Sequence, residues 1–425
     1  MRKINVRKQD IRINADPQRV IMNFFFPGTQ ERAERVIERV LSLPAKKMES
    51  CLDAVTQEFS FRHRSVGNIF LENFARIQKI MDKNSENTEL FIRLGEADQI
   101  ARMLIGAYFS KEYSIEAAAI FNPSIVLLND DSGPVKFVMS LRAAGEGHIS
   151  SVEFRYGTIN TSGQITLDEI PRYVNTGKIT SGENENSYSV KFDDKTGITE
   201  RVLFPHSPDE SNGLEDARFV FHSSDKKYYA TYTGYNGKKI QTKMIETEDF
   251  RSFRLFPVFG DAVKDKGMAL FPEKINDRYV MISRQDGENL YIMESSRIDH
   301  WEKKKLLKVP SEYWEFVQIG NCGSPVRTEK GWLLLTHGVG AVRKYSISAL
   351  LLDAENPEKI AGVLKEPLIS PGKEEREGYV PNVVYTCGCA IVKNKLIIPY
   401  AMSDAAIAVA CVDLKELLDR FEPAV

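Results

Sequence analysis

Residues 226–250, KKYYATYTGYNGKKIQTKMIETEDF, read as a charged turn, an apolar strand, a polar break, a second strand and an acidic turn. The same plan returns in DRYVMISRQDGENLYIMESSRIDHW (277–301), KGWLLLTHGVGAVRKYSISALLLDAENP (330–357) and NKLIIPYAMSDAAIAVACVDLKEL (394–417). An earlier copy, PVKFVMSLRAAGEGHISSVEFRYG (134–157), makes five. Aligning Tyr228, Tyr279, Trp332 and Leu396 gives spacings of 51, 53 and 64 residues. Repeats of roughly 40–50 residues with several strands each are the signature of a β-propeller, whose blades pack radially about a channel. The competing reading is a β-sandwich with coincidental spacing.

A further apolar strand precedes each repeat: FNPSIVLL (121–128), EDARFVFH (215–222), ALFPEKI (269–275), GSPVRT (323–328) and NVVYTCG (382–388). In a propeller the first strand of every blade lines the axis. Residues at one end of these strands then converge on one central pocket, which gathers Asn122, Asp216, Lys266, Asn321 and Asn382.

Before about residue 115 the period is helical. Val36, Ile37, Val40 and Leu41 form one stripe, with Thr29 as its cap; Met48, Leu52, Val55 and Phe59 form the next. Ile69, Phe70, Phe74, Ile77 and Met81 form a third, and a fourth helix spans about Thr88 to Tyr108. The expected fold is therefore mainly β: residues 116–425 as a five-bladed propeller with a short C-terminal helix, and residues 1–115 as a helical extension. Such an extension is expected to support a homo-oligomer or to act as a lid that brings Arg62, His63 or Arg64 over a neighbour's site.

The chain has 425 residues, with 57 Lys and Arg against 59 Asp and Glu and a net charge of −2, which argues against wrapping nucleic acid. No apolar run is long enough for a membrane span. The segment MRKINVRKQDIRINADPQR (1–19) lacks an apolar core for a secretory signal. Cys51, Cys322, Cys387, Cys389 and Cys411 are odd in number and irregular in spacing, as expected of reduced thiols in a cytoplasmic protein. Cys387-Gly388-Cys389 is too short for a zinc hairpin, so no metal is expected.

The chemistry gathers in NGLEDARF (212–219), which offers Glu215, Asp216 and Arg218. In a regular strand Asp216 and Arg218 face the same side, so the cation can orient the carboxylate. A carboxyl held in a pocket is the usual proton donor for breaking a glycosidic bond. The plainer reading is a turn stabilised by a surface ion pair. Lys266 precedes an axial strand, Arg284 ends the next strand, Arg327 sits on the following axial strand, and His337 ends the strand after that. Three cations and an imidazole in one pocket would hold a dianion such as phosphate. Glu146 and His148, in the glycine-rich LRAAGEGHISS (141–151), are either a substrate contact or a capped turn.

In combination these motifs resemble glycoside hydrolase family 130, the mannoside phosphorylases and related β-mannosidases, over about residues 115–412. The resemblance is carried by FNPSIVL, NGLEDARF, DKGMALFPEKINDRYVMISR, GSPVRTEKGWLLLTHG, YSISALLLD, EGYVPNVVY and YAMSDAAIAVA, in family order. It implies a five-bladed propeller. It also implies Asp216 as general acid, acting through a hydroxyl of the bound mannose while phosphate attacks the anomeric carbon with inversion. The products would be α-mannose 1-phosphate and a shortened acceptor, with inorganic phosphate as co-substrate and no cofactor. Lys266, Arg284, Arg327, His337 and Tyr345 map onto phosphate contacts, and Asn122, Arg142 and Asp404 onto sugar contacts, with Glu146, Glu215 and Arg218 beside them. Ala217, Gly267 and Gln285 depart from the commoner family residues. Glu146 and Glu377 are spare carboxylates for a water-activating base, which would make an inverting hydrolase; a non-catalytic sugar-binding propeller is the third reading.

Overall fold

The computed structural model describes residues 4–84, 87–128 and 134–424. They form two compact units, one of Met1–Pro17, Ile115–Pro171 and Asn175–Val425, the other of Gln18–Ser114 with Arg172–Val174.

The larger unit is mainly β, and its described strands run as five antiparallel meanders, the first two joined into one 11-stranded sheet by a parallel pair, Gly213 opposite Ser150. The first is Ala119–Leu127, Val135–Ala144 and Ser150–Ile159, with Ile165–Leu167 outside it. The second is Gly213–His222, Lys227–Tyr235, Ile240–Thr247 and Ser252–Pro257. Ala269–Leu270, Tyr279–Ser283, Leu290–Ser295 and Lys303–Lys308 make the third. The fourth is Gln318–Asn321, Gly331–Val339, Tyr345–Leu352 and Ile360–Val363, with Val326–Thr328 also paired to its second strand. The fifth holds Val384–Tyr385, Lys395–Met402 and Ala406–Asp413. Tyr228, Tyr279, Trp332 and Leu396 each stand at the first or second residue of the second strand of their meander.

Apolar side chains fill the space between successive meanders. Val152 and Phe154 of the first pack with Phe219 and Ile245 of the second, and Met244 and Phe256 of the second with Met281 and Met293 of the third. Ile282 and Ile292 of the third meet Trp332 and Leu334 of the fourth, and Leu335 and Ile347 of the fourth meet Ile398 and Ala410 of the fifth. Ile397 and Val409 on the other face of the fifth pack against Phe137 and Met139 of the first. This two-sided burial explains why the strands read as near-continuous apolar runs.

One boundary differs from the sequence reading. Val6–Asn14, which the sequence reading assigns to the helical extension, is the outer strand of the fifth meander, paired from Val6 opposite Val412 to Asn14 opposite Ala406 with a register shift between Lys8 and Arg12. Its charged residues face solvent at a sheet edge, which hides the alternation, while Ile13 is buried.

The smaller unit holds the helices Gln30–Leu41, Ala45–Phe59, Val66–Asn84, Thr88–Glu96 and Gln99–Tyr108, and a two-stranded pair, Val20–Phe24 with Ser110–Ser114. Its core contains Ile37, Leu52, Phe70, Phe74, Ile77, Leu94, Leu104 and Ile105. Thr29 caps the first helix, accepting from Arg32 N at 3.4 Å, an interaction of about 1 kcal/mol. The single helix expected over Thr88–Tyr108 is instead two. Asp98 ends the run by turning its side chain to accept from Ala101 N at 2.8 Å, which starts a new helix. Gly106 permits that helix to touch the Val66–Asn84 helix, since a Cβ there would lie 1.8 Å from the Phe70 carbonyl oxygen. Among the described residues no helix is long and apolar enough to cross a membrane.

Candidate active site

The site begins with two interruptions of regular strand. Asn122 (φ 50°) and Asp216 (φ 56°) both take left-handed backbone where the register shifts, between Phe121 and Ser124 and between Glu215 and Arg218. Asn and Asp tolerate this conformation better than other non-glycine residues, and a bulge re-aims the side chain it carries. Here it brings Asn122 Nδ2 to donate to Asp216 Oδ1 at 2.7 Å.

Arg142, near the end of Val135–Ala144, clamps the acid pair. Its Nη1 donates to Asp216 Oδ1 at 3.1 Å, its Nη2 to Glu215 Oε1 at 2.7 Å and its Nε to Ser150 Oγ at 2.9 Å. Lys266 Nζ lies 3.6 Å from Glu215 Oε2. Burial alone would push the Asp216 carboxyl up, but the charges of Arg142, Arg218 and Lys266 and the Asn122 amide hold it well below the usual carboxylate range. Asp404 goes the other way. It sits in the turn after Lys395–Met402, and burial, then the neighbouring Asp216 charge, pushes its carboxyl up to about 6 against the pull of Arg142, Arg343 and Lys266.

A second group of residues is cationic. Arg284 Nε donates to the Lys266 carbonyl at 3.2 Å, and its Nη1 lies 3.4 Å from His337 Nε2. A guanidinium can only donate, so this imidazole nitrogen accepts and His337 is neutral. Burial first, then the charges of Arg284 and Arg218, hold its pKa well below the ordinary value. The Gln318 amide, with its oxygen accepting from Arg284, donates to the Gly287 carbonyl at 3.1 Å. Tyr345 lies parallel to the His337 ring, with centroids 5.8 Å apart and planes 4° from parallel. None of these contacts gives Arg284 a carboxylate partner. Gly267 and Gly320 make room for it: a Cβ would lie 2.7 Å from Arg284 Nε at the first, and 2.4 Å from the His337 ring and 3.0 Å from Arg284 Cδ at the second.

Arg218 ties the two groups together, though not as strand alternation predicts. Because the register breaks at Asp216, its Nη1 donates to the Asp216 main-chain carbonyl (2.8 Å) rather than to the carboxylate. Its Nε donates to the Cys322 carbonyl at 3.0 Å and its Nη2 to the Tyr385 hydroxyl at 2.8 Å, and the Tyr385 ring lies 4.9 Å from that of His337.

Asp216, Glu215, Arg142, Asn122, Lys266 and Arg218 are thus joined by direct contacts or charge, with Asp404 beside them, and Arg284, His337 and Tyr345 form the adjoining group. Arg327 is not brought in. It is exposed, donates to the Ala354 carbonyl at 2.8 Å and lies 4.8 Å from the Trp332 ring. On Gly331–Val339 its partner Trp332 is five residues from His337, about 17 Å along a strand. The first strand of that meander is broken at 322–325, and Gln318–Asn321, not Val326–Thr328, carries the end that meets Arg284. Glu146 and Glu377 are both exposed, Glu146 on the turn after Val135–Ala144. Asn321 is buried with both side-chain polar atoms lacking a hydrogen-bond partner. Sequence reasoning missed Gln318, Arg343 and Tyr385. Tyr385 was legible as an aromatic at the end of EGYVPNVVY; Gln318 and Arg343 carry no local signal.

A family model described as beta-1,4-mannooligosaccharide phosphorylase matches residues 96–422. The chain is 34% identical over 222 residues to a 1,2-beta-oligomannan phosphorylase of Thermoanaerobacter sp. (strain X514), covering 51% of this chain and 73% of that protein. A beta-1,2-mannobiose phosphorylase of the same organism is 29% identical over 311 residues, covering 72% of this chain and 94% of that protein. The solved structure of the beta-1,2-mannobiose phosphorylase from Listeria innocua, in complex with beta-1,2-mannobiose, superposes with a TM-score of 0.53 at 19% identity, over 71% of this chain and 92% of that one, a likeness of fold.

Proposed function

The chain belongs to glycoside hydrolase family 130, and from that premise we propose that it is a glycoside phosphorylase cleaving β-mannosides with inversion, to α-mannose 1-phosphate and a shortened acceptor. The observation that carries this reading is Arg284, a guanidinium in a largely buried cluster whose contacts are a carbonyl, a neutral imidazole and an amide. A cation without a counter-charge costs free energy until an anion arrives, and phosphate is the anion that phosphorolysis requires. In this reading Lys266, Arg284 and Tyr345 hold phosphate, His337 fixes the Arg284 guanidinium, and Gln318 stands where the sequence pattern puts Arg327. Asn122, Arg142 and Asp404 hold the mannose that is transferred. Glu215 anchors Arg142 and Arg218 holds the Asp216 main chain, so both position the acid.

Asp216 delivers the proton to the glycosidic oxygen through a mannose hydroxyl. It is ionised in the unliganded protein; the negative charge of bound phosphate opposes the cations that depress it, so that Asp216 takes up a proton from solvent before cleavage and passes that proton to the departing oxygen. Phosphate arrives already charged, so no second carboxylate has to activate water. The exposure of Glu146 and Glu377 leaves neither in the buried cluster where a hydrolase would need its base.

The five meanders are taken as blades of a propeller. Support comes from the order of core packing, in which each meander contacts the next and the fifth contacts the first, and from Val6–Asn14 closing the fifth sheet. Both curated relatives described above act on β-1,2 linkages by name, while the family description names β-1,4, so both belong in a substrate panel. The test is the anomer formed: phosphorus and proton NMR of the reaction with phosphate shows α-mannose 1-phosphate if the account holds, and the β anomer if inversion is wrong.

A further inference from the structure

Two hairpin turns beside the site share one backbone. Gly145 (φ −98°, ψ −159°) and Gly340 (φ −106°, ψ −163°) open them, and both are closed by a hydrogen bond of 3.0 Å, Gly145 N to the Ile149 carbonyl and Gly340 N to the Lys344 carbonyl. In each, the third and fourth residues are left-handed: Gly147 (64°) and His148 (61°), Val342 (58°) and Arg343 (52°). Val342 is β-branched and 90% exposed, so it takes a costly backbone conformation with no burial in return. His148 and Arg343 occupy the same position in the two turns. The first turn lies just beyond Arg142 and Ser150, the second just beyond His337 and Tyr345.

A third segment, 377–382, runs between them. It is tied down where Val380 N donates to the Ser403 carbonyl (3.0 Å), next to Asp404, and where Tyr345 N donates to the Asn382 carbonyl (3.0 Å). From it Tyr379, 57% exposed, reaches the first turn: its hydroxyl is 3.3 Å from His148 Nδ1, and the rings are 5.5 Å apart at 34°. The Arg343 guanidinium carbon lies 5.6 Å from the centre of the Tyr345 ring, and its charge acts on Asp404. Three exposed groups, from two hairpin turns and the segment between them, therefore stand beside the half-buried residues Arg142, Asp404 and Tyr345.

We propose that His148, Tyr379 and Arg343 form the subsite for the departing sugar, the acceptor-side hexopyranose of the β-mannoside. A pyranose offers an apolar C–H face and a rim of hydroxyls. The Tyr379 ring, held at a fixed tilt by His148, supplies a rigid platform for the face, and His148 and Arg343 supply hydrogen-bonding groups for the rim. The proposal rests on the phosphorolytic reading above. It makes these residues determinants of acceptor choice and not of phosphate binding.

The test runs the full-length protein in the synthetic direction, from α-mannose 1-phosphate and mannose or mannobiose. Tyr379→Ala and Arg343→Ala should each raise the acceptor KM about tenfold or more, and Tyr379→Ala should leave the KM for α-mannose 1-phosphate within about twofold. Tyr379→Phe, which keeps the ring, should retain most of the wild-type acceptor KM. Unchanged acceptor KM values in both alanine variants, with wild-type turnover, overturn the subsite while the phosphorolytic reading stands. A wild-type protein that neither forms nor consumes mannose 1-phosphate overturns both.

Discussion

Arg142 and Asp216 are joined by a guanidinium–carboxylate contact of 3.1 Å, and the same guanidinium reaches Glu215 at 2.7 Å. One largely buried cation thus compensates two adjacent carboxylates. Arg142→Met removes the one cation that contacts both, leaving Glu215 to Lys266 and Asp216 to the Asn122 amide, and is expected to cost about 3 kcal/mol in urea unfolding, with loss of activity. Adding Asp216→Asn to that variant should recover part of the stability and none of the turnover, which separates the structural part of the contact from its chemistry.

Asp404 is the complementary case. Its folded-state pKa, about 6, lies above the ordinary carboxylate value of 3.8, so the folded protein binds this proton more tightly than the unfolded chain does. Its cost to stability is absent below about pH 4, grows as pH rises towards 6 and is fully present above that. Asp404→Asn should therefore be more stable than wild type at pH 7.5, by at most about 3 kcal/mol, and should converge with it at pH 4. Melting temperatures of the two proteins across pH 4–8 check this, and under the proposed assignment of Asp404 to the transferred mannose the variant is expected to lose most activity.

His337 acts as a neutral group. A His whose folded pKa is depressed contributes stability that is present above the unfolded value near 6.5 and lost as pH falls through and below it. His337→Gln keeps an uncharged acceptor for Arg284. Its pH–rate profile should keep the wild-type shape, with the phosphate KM raised less than about tenfold, whereas His337→Ala raises it further. A Gln variant that lacks the wild-type acidic limb would show that the imidazole does titrate in turnover.

Two arginines separate the structure from a simple count of basic residues. Arg284→Ala should raise the phosphate KM by about a hundredfold, the scale of losing a charge-assisted anion contact. Arg327→Ala should leave it within about twofold and change stability by about 0.5 kcal/mol or less, because Arg327 lies on the exposed edge beside Ala354 and Trp332. Steady-state phosphate titrations of the two variants decide between the assignments.

Removing the first seventeen residues is expected to damage the β unit, since Val6–Asn14 completes the fifth sheet. Circular dichroism melting of that truncation should show a lower and broader transition than the full chain.

Much of this was legible beforehand. Apolar runs between turn residues at regular spacing mark the strands, and NGLEDARF with the basic strand ends points to Asp216, Lys266, Arg284 and His337. What escaped reading has physical causes. Val6–Asn14 is an edge strand whose charged residues are exposed, and its alternation is confined to the short stretch Asp10–Asn14. Arg327 was placed by assuming one continuous first strand, whereas the break at 322–325 moves the functional end back to Gln318. Arg218 was aimed by strand alternation that the left-handed backbone at Asp216 interrupts. Asp98 hid a helix start inside a helical run because a capping side chain changes direction without changing the apolar period.

The central claim is that phosphate is the nucleophile. Incubating the protein with β-1,2-mannobiose and with β-1,4-mannobiose, with and without inorganic phosphate, and quantifying mannose and mannose 1-phosphate, tests it most directly. The account predicts cleavage only with phosphate, yielding one mannose 1-phosphate for each bond broken; equal cleavage without phosphate, releasing only free mannose, would contradict it.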